Sequence, residues 1–469
     1  MDATHRGNDP PAGSMSFLQR LATPRAAVGL VTRPALADEE LQTNWMDRAL
    51  VAQTYEGRPM TTHHVLDVAV AFDRAWLFGA VDALVRSVPA LRSYLRESPL
   101  AIRRFAAPER WSRLDSLVTF SDVALELSGS EWLVRGFDLA HDEPFRLLHA
   151  PRHGGGYQLV FTLHHGVTDG VGALALFGAL LAHYGVLSGE RDEPPVVVAA
   201  DCGRLRTLVT RPGGTRLALS LVLDNVRRAR RFTDRRASLL EREAAQAGAL
   251  HYVVLDLPTS DWERLGERAN TLGCSRNDLM LTALLRAAAA WRRAEEMPDE
   301  DFRALIPVDL RRELGMGPSL GNHLGVMEAE FTAEEIAGPT LHATVRVRLK
   351  AERAAARVLA TPMALAMLTT LPPRALRAFF RWLDERPSSF MYSFLFSHIR
   401  VPDRLGVPSS IRAQRLYCLS SLPRQPGVGV TVTALPGSIT IVLAYTPPRL
   451  SDAGAASLMA RFSAALEEA

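Results

Sequence analysis

Residues 161–172 read FTLHHGVTDGVG. The run YQLVFTLHH, 157–165, has strand character and stops at the double histidine. Asp169-Gly170 follows, and then VGALALFGALLAHYGVLSG, 171–189, which has no Asp, Glu, Lys or Arg and whose one side chain able to charge near pH 7 is His183. The order is strand, polar turn, helix. A histidine at a strand end suits general-base work, because an ordinary pKa of about 6.5 leaves it mostly neutral at pH 7. Asp169 has two readings: it orients another group, or it caps the helix. Gly170 would let the backbone turn tightly.

Outward from this stretch, PFRLLHAP, 144–151, pairs with 157–165 as a hairpin through the glycine-rich 152–156. HHVLDVAVAF, 63–72, reads as a strand, and 73–95 as a helix with Leu77, Val81, Leu84 and Val88 on one face. LVTFSDVALE, 117–126, contains an alternating stretch. The second half opens with strand LHYVVLDLP, 250–258, and two helical stretches follow, Asn277-Asp278 being placed to cap the second. RALIPVDL, 303–310, is strand-like, and GVGVTVTAL and SITIVLAY form a hairpin across Pro436-Gly437 before a last helix. The apolar 171–189 run, with its internal glycines, reads as a core helix rather than a membrane span.

With 469 residues, two domains are expected. A hydrophobic fraction of 47% and 22% charged residues fit a globular chain. The net charge of +3 excludes bulk nucleic-acid binding. Lys350 is the chain's lysine and all other basic residues are arginine, a skew read as codon composition before function. Cys202, Cys274 and Cys418 are sparse and form no metal spacing, which points to a reducing, cytoplasmic setting. The polar N-terminus lacks a signal-peptide core, so 1–15 reads as a tail. Residues 204–243 hold eleven arginines: a solvated helix face, with an anionic-lipid or acidic-carrier surface as the alternative.

HHGVTDG resembles the HHxxxDG signature of the CoA- and carrier-protein-dependent acyltransferases, the group of condensation domains, polyketide-associated acyltransferases, wax ester synthases and chloramphenicol acetyltransferase. FDLAHDEPFRLLHA, CSRNDLMLTALLRA and IPVDLRRELGMGPSLGNHLG are similar to further family stretches, in the expected order over most of 45–469. The resemblance implies an α/β (α+β) fold of two chloramphenicol-acetyltransferase-like subdomains forming a V with a central tunnel. The division would be a tail at 1–15, an N-terminal subdomain at 16–195, a basic helical linker at 196–248 and a C-terminal subdomain at 249–469. It implies His165 as general base and Asp169 paired with an arginine, Arg311 matching better than its neighbour Arg312. His164, Gly170 and Asn322 would support the site, Asn322 by ordering a loop. Where many relatives carry a Ser-Asn or Thr-Asn pair, this chain offers Ser397-His398, a departure that leaves the substrate-facing contact open. The plant-type DFGWG motif is absent.

The implied activity is that of a free-standing acyltransferase in lipid or secondary metabolism. It moves an acyl group from acyl-CoA or acyl-phosphopantetheine on a carrier protein to an alcohol. An amine acceptor and a catalytically silent carrier-binding module are the alternatives. No bound cofactor and no metal are expected, and peripheral membrane contact through 204–243 stays open. One rival is an α/β-hydrolase: 317–321 match GxSxG and His153-Gly154-Gly155-Gly156 match an oxyanion HGGG. The elbow needs a strand before the serine and a helix after it, and the sequence offers neither.

Overall fold

The computed structural model describes residues 39–54, 58–99, 101–106, 114–195, 213–232, 237–241, 248–317, 319–384, 392–401, 405–422, 427–435 and 438–468. The tail read at 1–15 lies outside them, as do 196–212, 233–236 and 242–247 of the basic linker.

The hairpin that ends at the double histidine is the middle of a sheet. Labelled in chain order, the first-half strands are β1 (Glu40–Leu41), β2 (Thr61–Val68), β3 (Ser93–Glu97), β4 (Ile102–Ala106), β5 (Val118–Phe120), β6 (Phe145–Pro151) and β7 (Tyr157–His164). Those of the second half are β8 (His251–Leu257), β9 (Phe302–Asp309), β10 (Leu324–Phe331), β11 (Phe394–Arg400), β12 (Ala413–Ser420), β13 (Val428–Leu435) and β14 (Ser438–Tyr445). Helices of eight or more residues are α1 (Trp45–Ala52), α2 (Arg74–Ser87), α3 (Gly170–Leu187), α4 (Gly214–Phe232), α5 (Thr259–Thr271) and α6 (Arg276–Ala294), then α7 (Leu341–Ala354), α8 (Ala360–Leu368), α9 (Pro373–Asp384) and α10 (Asp452–Glu468).

Among the described residues the strands form three sheets, in the orders β1-β4-β3, β12-β2-β7-β6-β5 and β10-β9-β11-β13-β14-β8. One face of the five-stranded sheet is covered by α2 and α3, where Leu66, Leu77, Phe161 and Phe177 pack together. The other face, through Val65, Val160 and Tyr417, meets Tyr252 and Val442 of the six-stranded sheet. Covered on both faces, β2 and β7 are buried almost throughout, so that Thr61, Thr62, His63, His64 and Asp67 of β2 are buried along with its apolar side chains. The six-stranded sheet has its own core around Trp291, Phe331, Phe396 and Phe462, with α5, α6, α7 and α10 packed on it. This is the mixed α/β build that was expected.

Several boundaries differ from the sequence reading. The strand 413–420 belongs to the first half's sheet, running antiparallel to β2, so the subdomain drawn at 249–469 is not one sheet unit. Its alternating faces fill both the α3-side core, through Cys418, and the junction between the halves, through Tyr417. The helix read over 73–95 stops at Ser87, because Val88-Pro89 breaks it, and 93–97 becomes strand β3. The strand read over 63–72 ends at Val68, and within 117–126 only 118–120 is strand. The cap of α6 is Ser275, with Asp278 bonding back to it in a capping box. Helix α3 is long and apolar enough to cross a membrane, and 67% of it is buried inside the protein.

Candidate active site

The site is built where β7 ends, α3 begins and the 310–323 loop of the second half comes across. The two histidines at the end of β7 take different roles. His164 is fully buried. The amide of Gly166 donates to its Nδ1 at 3.0 Å, so the ring carries its proton on Nε2, which faces Thr54 Oγ1 at 2.8 Å. Burial first, then Arg104 and His165, pushes its pKa down to about 3. It is a neutral, fully bonded support. Thr61 lies opposite it on β2.

His165 is half-buried, and its backbone N–H bonds to Met60 O at 2.8 Å. Its Nδ1 lies 3.0 Å from Asn322 Oδ1. The amide of Asn322 cannot be turned over. Its Nδ2 donates to the His165 carbonyl at 2.8 Å and to Asp47 Oδ1 at 2.8 Å, both pure acceptors. The oxygen therefore faces His165, which must donate from Nδ1. The lone pair is left on Nε2, the form a general base needs. His164 and His165 thus hold opposite tautomers.

Behind Asn322 stands Asp47 on α1, 2% exposed. Its carboxylate caps a reciprocal box with Asn44, whose own amide donates to Asn322 O at 2.8 Å. Burial pushes Asp47 above the ordinary carboxylate pKa, against the opposing pull of Arg104 and of the Asn322 and Asn44 hydrogen bonds. Sequence reading missed Asn44 and Asp47. The N-x-x-D box before an apolar run was visible at 44–47 as a helix start, but nothing local points it at residue 322.

Asp169 combines both of its sequence readings. It is the N-cap of α3, accepting from Gly172 N at 3.0 Å. It also takes Arg311 in a bidentate pair, 2.9 Å on each oxygen, and the amide of His323 at 2.9 Å. With no exposed surface and four donors it is fully occupied, so it holds the halves together rather than moving a proton. Arg311 additionally bonds the carbonyls of Ser319 at 2.8 Å and Gly321 at 3.0 Å. Burial alone would lower the Arg311 pKa, but the Asp169 and Asp309 carboxylates raise it above the ordinary guanidinium value. Arg312 points to solvent.

Gly170 is not a strained turn. A Cβ there would stand 3.1 Å from Ile399 Cδ1 on β11, so its smallness serves close packing between the halves. The tighter position is Gly172, where a Cβ would fall 1.9 Å from Thr168 Oγ1. That hydroxyl in turn receives the amide of Gly321 at 3.1 Å, and Gly321 has a φ of +98° that suits glycine.

The two residues read as substrate-facing part company. Phe394 and Phe396 of β11 point into the six-stranded core, whereas Ile399 points toward α3. Ser397 shares the Ile399 side and pairs in register with Thr431, whose hydroxyl meets Ser420 at 3.3 Å. His398 faces the opposite way, edge-on to the Trp262 ring at 6.0 Å, and burial holds its pKa at about 4. It is not part of the site, because strand alternation turns it away from Ser397.

The hydrolase motifs also resolve. Gly154, Gly155 and Gly156 turn the β6–β7 hairpin with φ of +85°, +102° and +78°. Ser319 precedes strand β10, not a helix, and its carbonyl is spent on Arg311. Among the described residues no cluster of His, Cys, Asp and Glu could hold a metal.

No protein-family model and no curated protein matches the chain. Solved structures do. The first condensation domain of the CDA synthetase aligns with a TM-score of 0.64 at 17% identity, covering 92% of this chain and 96% of its own. Polyketide synthase associated protein 5 from Mycobacterium tuberculosis aligns at 0.58 and 18%, over 93% and 98%. The starter condensation domain of rhizomide synthetase, solved in complex with C8-CoA and Leu-SNAC, aligns at 0.62 and 13%, over 92% and 94%. The chain has the condensation-domain fold along nearly its whole described length.

Proposed function

We propose that this protein transfers an acyl group from a thioester to a hydroxyl, with His165 as general base. The observation that carries the reading is the locked tautomer: Asn322 holds Nδ1–H and leaves the Nε2 lone pair at a half-buried position between the halves. In this reading Nε2 takes the acceptor's proton as its oxygen attacks the thioester carbonyl. The tetrahedral intermediate collapses, the C–S bond breaks, and the imidazolium returns the proton to the thiolate. No covalent enzyme intermediate is required, and positioning supplies much of the rate. Asp169 and Arg311 join the halves around this point. The thiol carrier is CoA or a carrier-protein phosphopantetheine arm. A neighbour solved with an acyl-CoA supports a thioester donor. Ser397 is the polar side chain we place toward the substrates, and a tunnel between the halves is the route we assign to them.

Thiol release from a panel of acyl-CoAs and acyl-carrier proteins, with pooled alcohols and amines, tests this. Acceptor-dependent release that disappears in His165→Ala is expected. Release that favours amines replaces ester by amide formation. No release from either donor class, with carrier binding intact, sinks the transferase reading in favour of a binding module.

A further inference from the structure

We propose that α9 and its neighbours α8 and α4 form a contact surface for a bilayer containing anionic phospholipid. The inference stands independently of the transferase reading. Helix α9 buries Leu376 and Phe380 against Met46, Ala49 and Leu50 of α1. Its opposite face leaves Ala375, Ala378 and Trp382 exposed, and Leu371 extends the same stripe at a helical step just before the helix. Leu371 is 39% exposed and Trp382 46%. Met367, on the last turn of α8, is also 46% exposed. Phe379 stacks beside Trp382, with ring centroids 6.1 Å apart.

Arg374 and Arg381 are exposed along the apolar stripe. From Arg353 to Leu383 the chain has no Asp or Glu and five arginines, at 353, 357, 374, 377 and 381; of these, Arg353 pairs with Glu313, Arg357 with Glu352 and Arg377 with Glu97, and the stripe itself is bordered by Arg374 and Arg381. Asp384 closes the helix, but it is buried in an ion pair with Arg58. Helix α4 packs on α8 and exposes Leu219 and Leu223, with Arg216 and Arg227 exposed toward either end. Its acid, Asp224, is engaged by Arg357 at 3.3 Å. Of the ten large hydrophobic residues exposed among the described residues, these helices and the 369–372 turn carry five: Leu219, Leu223, Met367, Leu371 and Trp382.

Apolar side chains with a tryptophan, bordered by Arg374 and Arg381 and with the adjoining acids Glu97 and Asp224 engaged by Arg377 and Arg357, match an anionic interface. The guanidinium groups reach phosphates while Trp, Leu and Met enter the headgroup–acyl boundary. The basic region read at 204–243 contributes through α4, but the stripe on α9 is the centre of the surface. Helix α1 lies between α9 and Asn322, contributing Leu50 to one and Asp47 to the other. A bilayer on α9 would therefore sit one helix away from the residues that orient His165.

The test is vesicle co-sedimentation of the full chain, on mixed phosphatidylcholine–phosphatidylglycerol vesicles and on phosphatidylcholine alone. Binding confined to anionic vesicles and weakened by salt is expected. Arg374→Gln with Arg381→Gln should lower partitioning roughly thirty-fold. Leu371→Ser with Trp382→Ser should lower it by about tenfold or more. Circular-dichroism melts of both should match wild type, since the side chains are exposed. Val347→Ser, at an exposed position of α7, should bind as wild type does. Equal binding to neutral vesicles, binding unchanged in both double variants, or equal loss in Val347→Ser overturns the proposal. So does the absence of vesicle binding, with or without capture of an acidic carrier protein on the same arginines.

Discussion

The chain writes His-His twice, on neighbouring antiparallel strands, and the two pairs differ in everything that chemistry needs. His63 is bonded on both sides, to Thr61 at 3.2 Å and Thr162 at 2.9 Å. His64 is fully buried with no partner on either nitrogen, and burial, followed by its neighbour His165, pushes its pKa down to about 3. His164 is bonded on both sides as well. His165 alone of the four is half-buried and bonded at Nδ1 with its Nε2 lone pair left over. The position just beyond the strand end makes the difference: inside a strand covered on both faces, an imidazole can only be neutral packing, whereas one residue past the end it meets a loop from the other half.

The largest expected effect falls on that odd one out. His165→Ala should cost about 10²- to 10⁴-fold in acyl transfer while the melting temperature stays close to wild type. A rate equal to wild type would erase the distinction between the pairs. Next comes the tie that brings the second loop across. Arg311→Ala leaves the Asp169 carboxylate buried without its cation and should cost about 3–5 kcal/mol in urea unfolding. Arg312→Ala, next to it but exposed, should change stability by less than about 0.5 kcal/mol. Equal losses would show that the pair does not join the halves.

Asn322→Ala should free the His165 ring and lower kcat by roughly ten- to a hundred-fold with little change in KM. Asn322→Asp places a carboxylate at Nδ1. It should raise the pKa of His165 and move the acidic limb of the kcat profile to higher pH, a shift that a merely structural residue would not produce. An unmoved limb in Asn322→Asp would make Asn322 a loop support only.

The buried members of the pairs should be read through stability. His63, His64 and His164 each lie at about 3 in the fold, by burial first, against 6.5 as the ordinary value. The unfolded chain therefore binds more protons below 6.5, and stability is lost as pH falls through that value toward 3. Each histidine contributes about 1.4 kcal/mol per pH unit in that window. Urea midpoints at pH 7.5 and 5.5 check this, and a flat profile would contradict the neutral, buried assignment. The smallest effect belongs to His64→Leu. Replacing an unpartnered ring by an apolar side chain should raise stability by about 1 kcal/mol and flatten the acid loss by one histidine. A loss of transfer activity instead would place His64 among the groups that touch substrate.

The local signals were legible where one segment decides them. Strand–turn–helix around 161–172, the hairpin glycines and the cap at Asp169 follow from hydropathy period and turn chemistry over a dozen residues. The α/β class follows from the same patterns repeated along the chain. The resemblance of HHGVTDG and PVDLR added candidate roles for His165, Asp169 and Arg311, and the structure puts the last two in a bidentate ion pair. Ser397 and His398 could not be separated by inspection until the register of β11 placed them on opposite faces.

By itself, then, the sequence determined the elements, their caps and the adjacency of two histidines to an Asp-Gly turn, because those rest on contacts within a few residues. Tertiary structure decided which histidine is neutral packing and which carries a free lone pair. That outcome depends on Asn322 and Asp47, which lie 157 residues after and well over a hundred before His165. No local period encodes such a meeting: it exists only once α1, the end of β7 and the loop before β10 are packed together.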